Sequence, residues 1–451
     1  MAGLIPQLGP RPIPAGRVAR GSVTPPPSKS VTHRYLNLTL LSGREATIRR
    51  PLLAEDTRLF LEALAAMGWR VEASEEAARL APPAAAGREA TAEADLFCGN
   101  AGTLFRFLTA SLAVLPGRWR LDGTPRLRER PVGPLVTALR ELGARIEPGE
   151  ADGSPYHAPL VVHGGALPGG RATLDAGESS QYLSALLMAG LRAAGPVELA
   201  VPALTSEPYV ALTREAIRRF TAEASTDPVA ELPGGYGVRP TPPAPPAGLT
   251  VEGDFSAACY TAAAAALTRG RVVLEGLSPA SAQGDRRFLD LLGRMGAQVD
   301  WRGERLEVVG RDLVALEVDL SAMPDQVPTL AALAPFAIGI TRIYNVSHLR
   351  IKESDRLRAL AVGLGRLGVP VEELPDGLLI PGCWAGGAPP ARVGSPAGEP
   401  VVLDPVGDHR IAMAFALVGL RRQGVAVAHP EVVEKSYPGF WRDFDALLAA
   451  G

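Results

Sequence analysis

Basic and amide side chains stand at several Gly-, Ser- or Asp-rich turns, each directly before an apolar helical run. Lys29 stands at the first such turn, Gln181 at the third, and His409 and Arg410 at the last. Backbone N–H groups at a helix N-terminus are unpaired, and the helix dipole leaves partial positive charge there. Capping alone explains a serine or asparagine at such a turn, but it requires no lysine or glutamine. The pattern therefore favours sites that bind small anionic molecules.

Further charged and hydroxyl side chains lie between these turns. Segment 126–130 contains three arginines, segment 350–356 interleaves basic and acidic residues, Lys435 follows a strand-like valine pair, and Ser206 and Tyr209 offer two hydroxyls. A mixed run such as 350–356 is by itself more typical of a solvated helix start with local ion pairs. Arginine binds carboxylate or phosphate with paired N–H groups, and lysine binds single phosphate oxygens. Together with the turns, these clusters predict an enzyme that binds multiply anionic substrates.

The composition limits the classes of partner. Lys and Arg total 46 against 48 Asp and Glu, so charge gives no support for a nucleic acid or membrane partner. Cys98, Cys259 and Cys383 have no metal-ligand spacing, which argues against a zinc site or a disulfide framework and fits a reducing cytosol. The N-terminus does not have the pattern of a signal peptide, and no apolar stretch reaches the ~20 residues of a membrane span. We therefore expect a soluble cytoplasmic protein without a metal.

The turns recur at a nearly constant spacing, which indicates six copies of one unit. Successive markers are separated by 72, 77, 76, 71 and 83 residues; they are Ser30, Gly102, Ser179, Phe255, Gln326 and His409. Each turn opens an apolar helix, the fifth predicted over 327–338. A second helical pattern follows in each unit and ends in four of them at a glycine before a strand-like stretch, namely Gly68, Gly143, Gly296 and Gly368. Six such units predict two domains of three units each.

Two proline clusters, 25–27 and 240–246, flank three of the six units. Stiff proline-rich segments suit crossovers between domains. We predict an N-terminal domain over 28–245 and a C-terminal domain formed by 1–27 and 246–451. The alternative is that both clusters are surface loops.

Nine segments in this order resemble the family of EPSP synthases (3-phosphoshikimate 1-carboxyvinyltransferases), and the resemblance covers about 25–440. They are PPSKSVTHR, GNAGTLFRFL, PRLRERPVGPLV, ESSQYLSALLM, TSEPY, MPDQVPTLAALA, LRIKESDRL, GDHRIAMAFAL and EKSYPGF. The resemblance implies an α/β fold of two similar domains, each with three βαβαββ units whose parallel helices lie inside outer mixed sheets. It places the active site in the cleft between the domains.

The same resemblance implies transfer of the enolpyruvyl group of phosphoenolpyruvate to the 5-hydroxyl of shikimate 3-phosphate, with release of phosphate. This addition–elimination belongs to chorismate and aromatic amino acid biosynthesis and needs no cofactor or metal. Sensitive members of the family are the target of the inhibitor glyphosate. We expect a monomer whose partners are these two small molecules.

The matching motifs imply the residues of each site. The shikimate 3-phosphate site is expected to use Lys29, Ser30, Arg34, Ser179, Ser180, Gln181, Ser206, Tyr209, Asp325 and Lys352. The phosphoenolpyruvate site is expected to use Lys29, Asn100, Gly102, Arg130, Gln181, Arg356, His409, Arg410 and Lys435. The reaction needs a base for the hydroxyl proton and an acid that protonates C3. Our hypothesis assigns the hydroxyl proton to Asp325 and the C3 proton to Glu353, with Lys29 assisting.

Two departures from the family pattern leave alternatives open. Phe107 occupies a position where proline is common, while Gly102 keeps the small residue beside which glyphosate binds in sensitive members, so inhibitor sensitivity stays open. The segment before 350 is longer than in many members. Asn345, or Ser347 with His348, is the candidate for the family's asparagine contact.

Two other functions compete with this interpretation. The related enolpyruvyl transferase that acts on UDP-N-acetylglucosamine uses a mobile loop bearing a cysteine, whereas this chain has RLRERP at 126–131. A non-catalytic anion-binding protein on the same fold is the other candidate. Retention of Asp325 and Glu353 with the basic positions argues against it.

Overall fold

The computed structural model describes residues 8–84, 92–150, 153–154, 156–165, 167–384 and 399–449. The chain divides into two compact units, here called the 27–251 unit (Pro27–Val251) and the terminal unit (Met1–Pro26 with Glu252–Gly451). The second boundary lies six residues after the predicted 245. The reason is that Arg49 N donates to Leu249 O at 2.8 Å and Val251 N donates to Arg49 O at 3.0 Å, which ties this segment to the 27–251 unit.

The described part of the 27–251 unit contains three sheets. Their strands, in hydrogen-bonded order, are Ala46–Arg49, Ala77–Ala81 and Arg70–Ala73; Glu93–Phe97, Gly117–Asp122, Leu160–Gly164 and Arg145–Pro148; and Gly170–Ala176, Val197–Leu204, Gly235–Val238 and Val229–Leu232. In both four-stranded sheets the first two strands are parallel and the remaining pairs are antiparallel. Parallel neighbours need a crossover connection, which a helix supplies here. This is the βαβαββ order.

The terminal unit repeats the arrangement within its described residues. Its strands are Arg11–Pro12, Val425–Val427 and Val401–Leu403; Gln298–Arg302, Arg305–Val309, Arg271–Glu275 and Arg20–Val23; and Glu317–Asp319, Ile340–Tyr344, Gly377–Pro381 and Glu372–Leu374. Strand Arg20–Val23 pairs in parallel with Arg271–Glu275. The 27–251 unit is therefore inserted into one repeat, between its first strand and its first helix.

The first helix of each repeat is buried on almost every side, and helix Lys29–Ser42 buries polar side chains such as Arg34 and Asn37 as well as apolar ones. These inner helices are Lys29–Ser42, Gly102–Ala113 and Ser180–Gly190 in one unit, and Phe255–Thr268, Val327–Leu333 and His409–Arg421 in the other. Within each unit the three pack against one another. The predicted α/β fold with internal helices is confirmed.

The other helices expose one face to solvent. They are Glu55–Ala66, Pro125–Glu129, Gly133–Glu141, Pro208–Phe220, Phe288–Met295, Arg356–Arg366 and Phe440–Ala449, with 3-10 turns at Gly284–Arg287, Pro324–Gln326, Ala334–Phe336, Ser347–Ile351 and Pro430–Lys435. The four glycines predicted to end helices all have positive φ, between 83° and 115°. None of the helices in the described ranges is long and apolar enough to cross a membrane.

The predicted helix over 327–338 is wrong in length. The α-helix ends at Leu333, and Ala334–Phe336 forms a 3-10 turn. Pro335 has no N–H to continue the α-helical hydrogen bonds, and its ring disfavours helical geometry at the preceding residue.

Candidate active site

The inner helices of the 27–251 unit bring their N-termini to the same end. Gln181 Nε2 donates to Thr103 Oγ1 at 3.0 Å, and both residues lie in the first turn of their helices. The Arg34 guanidinium lies 5.6 Å from the Phe107 ring centroid, and both residues lie in the second turn. Because the three helices are parallel, their partial positive charges add at this end.

Arg34 connects the first and third repeats of this unit. Its Nε donates to Thr213 Oγ1, Nη1 to Ser30 O and Nη2 to Tyr209 O, each at 2.8 Å. Burial lowers the pKa of the Arg34 guanidinium to about 10, which leaves it charged at neutral pH. The predicted residues Ser30, Arg34 and Tyr209 are thus held together.

Ser206 is a non-glycine residue with φ of 55° and is buried. Such left-handed conformations are sparsely populated and persist where the surrounding structure imposes them, often at functional sites. Tyr209 N donates to Ser206 O at 3.1 Å, so this turn leads directly into helix Pro208–Phe220.

The start of the inner helix Ser180–Gly190 is fixed by its cap and by an arginine. Ser179 Oγ accepts from Gln181 N at 3.3 Å, and Ser180 is buried as the first helical residue. Gln181 Oε1 accepts from Arg106 Nη1 at 2.7 Å, and Arg106 Nη2 donates to Pro131 O at 3.2 Å. The sequence-based prediction missed Arg106, although an arginine within an apolar helical run was a signal, because a buried charge requires partners.

Asn100, Gly102 and Arg130 form one compact set. Arg130 Nη1 donates to Asn100 O at 3.1 Å and to its Oδ1 at 3.3 Å. A Cβ atom at Gly102 would lie 2.6 Å from Arg130 Cζ. The guanidinium therefore occupies space that only glycine leaves empty, at the first residue of helix Gly102–Ala113.

Lys29 pairs with an acid that the sequence-based prediction missed. Its Nζ lies 3.1 Å from Asp56 Oδ2, and both side chains are largely buried. Nearby, His33 Nδ1 donates to Lys29 O at 3.0 Å. Burial lowers the pKa of His33 to about 4, so this ring is neutral at neutral pH. An acid in the first turn of a helix gave no signal of its role, because the helix dipole alone explains it.

The terminal unit gathers carboxylates around Arg356, whose side chain is 1% exposed. Its Nη1 donates to Asp325 Oδ1 and its Nη2 to Glu353 Oε2, both at 2.8 Å, and its Nε donates to Asp408 Oδ2 at 2.7 Å. Arg410 Nη2 lies 2.7 Å from Asp325 Oδ2. Four predicted residues, Asp325, Glu353, Arg356 and Arg410, therefore meet in one cluster. Asp408, which caps helix His409–Arg421, was not predicted.

The charges of this cluster set its protonation. Burial opposes ionisation of Asp325, but the neighbouring Arg410 and Arg356 outweigh it and hold the pKa of Asp325 well below its ordinary value. Burial likewise opposes the charge of Arg356, yet Asp408, Glu353 and Asp325 raise the pKa of Arg356 above its ordinary value. Asp325 is therefore a carboxylate at neutral pH.

Three other predicted residues lie on elements around this cluster. Lys352 is close enough to Asp325 for its charge to lower the pKa of that carboxyl. His409 begins an inner helix, with Nδ1 3.9 Å from Asp408 Oδ1. Lys435 is buried at the end of the 3-10 turn Pro430–Lys435, which contacts helix His409–Arg421.

His348 and Asn345, the alternatives for the family's asparagine, have different surroundings. Burial lowers the pKa of His348 to about 3, and the charges of Lys352, Asp325 and Arg356 also act on it. Asn345 instead donates from Nδ2 to Asp319 Oδ2 at 2.7 Å, in an exposed position. His348 is the one beside the cluster.

The inner helices of the terminal unit also meet at their N-termini. Tyr260 Oη donates to Arg410 O at 3.3 Å, which joins the second turn of helix Phe255–Thr268 to the first turn of helix His409–Arg421. Gln326 Nε2 donates to Asp285 Oδ2 at 2.9 Å. Asp285 is buried, and desolvation together with the Asp325 charge raises the pKa of Asp285 to about 6.

The fold defines an α/β protein with inner helices and outer mixed sheets, and solved structures share it. A solved structure of EPSP synthase from Acinetobacter baumannii superposes with a TM-score of 0.73 at 25% identity, covering 97% of this chain and 98% of that one. The enolpyruvyl transferase NikO from Streptomyces tendae, 18% identical, has the same fold, with a TM-score of 0.74 and 98% of each chain covered.

Sequence relatives define the family more narrowly. The family model of EPSP synthase (3-phosphoshikimate 1-carboxyvinyltransferase) matches residues 14–444. A 3-phosphoshikimate 1-carboxyvinyltransferase of Syntrophobacter fumaroxidans is 45% identical over 95% of this chain and 97% of its own length. The one from Methanoculleus marisnigri is 41% identical, over 94% and 96%. The chain belongs to the EPSP synthase family, a family of transferases.

Proposed function

We propose that this protein transfers the enolpyruvyl group of phosphoenolpyruvate to the 5-hydroxyl of shikimate 3-phosphate, giving 5-enolpyruvylshikimate 3-phosphate and phosphate. The observation that carries the proposal is the pair of carboxylates, Asp325 and Glu353, bound to one buried guanidinium, that of Arg356. Addition followed by elimination moves two protons, one on oxygen and one on carbon, and therefore calls for two separately placed proton-transfer groups.

Asp325 accepts the hydroxyl proton of shikimate 3-phosphate as that oxygen attacks C2 of phosphoenolpyruvate. Its low pKa supports the ionised form that this step needs. Glu353 in its protonated form gives its proton to C3 and takes one back when phosphate leaves, while the proton held by Asp325 passes to the departing phosphate. Lys352 and His348 lie beside the attacking hydroxyl. The charge of Lys352 acts on Asp325, and the charge of Asp325 acts on His348.

The 27–251 unit supplies most of the hydroxyl and amide groups for the anions, and both units supply cations. Ser30, Arg34, Ser179, Ser180, Gln181, Ser206 and Tyr209 bind shikimate 3-phosphate. Asn100, Gly102 and Arg130 bind phosphoenolpyruvate together with Gln181, Arg356, His409, Arg410 and Lys435. Lys29 contacts both ligands. Fixed cations and helix N-termini stabilise the leaving phosphate without reorganisation during the reaction.

We further propose that the protein acts as a monomer in the cytoplasm and that its two units contribute to one reaction. The proposed reaction uses no cofactor. Purified protein mixed with shikimate 3-phosphate and phosphoenolpyruvate should release phosphate, followed with a coupled assay. Release with UDP-N-acetylglucosamine and not with shikimate 3-phosphate would assign the related transferase activity. No release with either acceptor would support the alternative of a non-catalytic anion-binding protein.

A further inference from the structure

A buried carboxyl group, Asp285, lies beside the proposed base without belonging to the predicted site. Only 3% of Asp285 is exposed. Its Oδ2 accepts from Gln326 Nε2 at 2.9 Å and from the Ser256 hydroxyl, while its Oδ1 has no hydrogen-bond partner among the described residues. A buried carboxyl oxygen without a partner costs stability, so the residue is not explained by folding energy alone.

Gln326 is the link between Asp285 and the proposed base. It directly follows Asp325 in the three-residue 3-10 turn Pro324–Gln326 and is completely buried. Its amide is held at both ends, because Nε2 donates to Asp285 and Oε1 accepts from Thr329 Oγ1 at 3.0 Å. Fixing this side chain restrains the backbone of the turn, and with it the direction in which the Asp325 carboxylate points.

The polar contacts of Asp285 come from several neighbouring elements. Ser256 stands in the first turn of helix Phe255–Thr268, and Cys259 of that helix has its Sγ 3.5 Å from Asp285 O. The charges of Asp325 and Arg410 act on the carboxyl from the two other inner-helix starts. Asp285 therefore lies where all three repeats of the terminal unit meet.

We propose that Asp285 is a positioning residue for Asp325, acting through Gln326 on the short turn that carries the base. This inference rests on the proposed function, in which Asp325 takes the hydroxyl proton. The turn that opens the fourth repeat, around Ser256, then also has a part in the reaction. Ser256 holds the positioning residue Asp285 and does not bind a ligand.

The test compares Asp285→Ala, Gln326→Ala, their double variant and Asp285→Asn in the full chain. Asn keeps an oxygen where Oδ2 accepts both hydrogen bonds, so it should retain kcat, whereas Ala loses both bonds. We expect Asp285→Ala to lower kcat roughly 10- to 100-fold, since a displacement of ~1 Å of a catalytic group can cost that much. The KM values for both substrates should change little, because Asp285 binds neither.

The double variant separates positioning through Gln326 from two independent effects. If Asp285 acts through Gln326, the double variant should have the kcat of the more affected single variant, whereas independent losses would multiply. Thr268→Val is the matched control, because Thr268 Oγ1 accepts from Ala19 N at 3.0 Å in a buried position at the other end of the same inner helix. It should lower the unfolding temperature without changing kcat.

The outcomes distinguish this inference from the proposed function. An unchanged protein that releases no phosphate with shikimate 3-phosphate contradicts the proposed function itself. If the unchanged protein is active, full kcat in Asp285→Ala overturns the inference. So does a multiplicative double variant, or a loss of kcat in Asp285→Asn as large as that in Asp285→Ala.

Discussion

Arg356 and Asp325 are joined by a hydrogen bond of 2.8 Å between Nη1 and Oδ1, while Arg410 occupies the other oxygen of the same carboxylate at 2.7 Å. Both oxygens of the proposed base are thus paired with guanidinium groups, which makes Asp325 a weak base in this state. An anionic ligand that shares the charge of Arg410 would weaken its hold on Asp325. Binding of phosphoenolpyruvate at Arg410 would then raise the basicity of Asp325, which acts on shikimate 3-phosphate.

Replacement of Asp325 by Asn should remove the base while keeping the shape of the side chain. We expect kcat to fall at least about 100-fold, the usual contribution of a positioned general base. Phosphate release under saturation with both substrates measures it. Asp319→Asn is the control, because Asp319 is an exposed carboxylate bonded to Ser321 N and Asn345. Near-native turnover in Asp325→Asn would disprove its role as base.

Replacement of Gly102 by Ala should displace Arg130, since the added Cβ would lie 2.6 Å from Arg130 Cζ. We expect the KM for phosphoenolpyruvate to rise about 10-fold or more, because loss of one charge-assisted hydrogen bond is worth about 1.5–3 kcal/mol. The KM for shikimate 3-phosphate should change less. Gly365→Ala is the control, since a Cβ there meets nothing within 4 Å. Equal changes in both KM values would contradict this arrangement.

Replacement of Arg34 by Lys should weaken the contact between the first and third repeats of the 27–251 unit. A lysine ammonium cannot reproduce the fork that reaches Thr213, Ser30 and Tyr209. We expect a loss of about 1–3 kcal/mol in unfolding free energy and a higher KM for shikimate 3-phosphate. Arg358→Lys, at an exposed ion pair with Glu373, should change neither quantity appreciably. A stable Arg34→Lys variant with unchanged KM would contradict the prediction.

The buried Asp285 should make stability depend on pH in the direction opposite to most carboxylates. Its folded pKa of about 6 lies above the ordinary ~3.9 of aspartate, so the folded state holds a proton that the unfolded state has released. The stability from this proton is complete below pH ~4 and is lost as the pH rises from there through the folded pKa.

Asp285→Asn should escape this loss, so its unfolding temperature relative to the unchanged protein should rise between pH 4 and pH 7. Circular dichroism melts of both proteins, each compared at the same pH, cancel the titration of the other carboxylates. A difference that does not change with pH would show that Asp285 is ionised throughout.

Sequence patterns predicted the repeats better than the roles of single side chains. The helix starts at Lys29 and His409 and the cap at Gly296 follow from local rules on turns and apolar runs. Pro335 shortened the fifth inner helix, and that proline was visible in the sequence. The segment 249–251 joined the 27–251 unit because it pairs with Arg49, a contact between residues about 200 positions apart that no local pattern encodes.

The residues missed at the site were those that act on other protein groups. Asp56, Arg106, Asp285 and Asp408 hold Lys29, Gln181, Gln326 and Arg356 respectively. Each partner lies in a different segment of the chain, so spacing along the sequence does not identify it. The resemblance supplied groups expected to touch ligands, whereas the groups that hold them in place required the three-dimensional structure.

The insertion of the 27–251 unit into a repeat constrains the order of folding during synthesis. Strand Arg20–Val23 emerges early but pairs with Arg271–Glu275, and Arg11–Pro12 pairs with Val425–Val427 near the other end of the chain. Loop closure over such separations is slow, whereas the inserted unit is complete once residue 251 has been made. The two early strands therefore stay without their partner strands during much of synthesis. The sheets of the terminal unit are complete only after nearly the whole chain has left the ribosome.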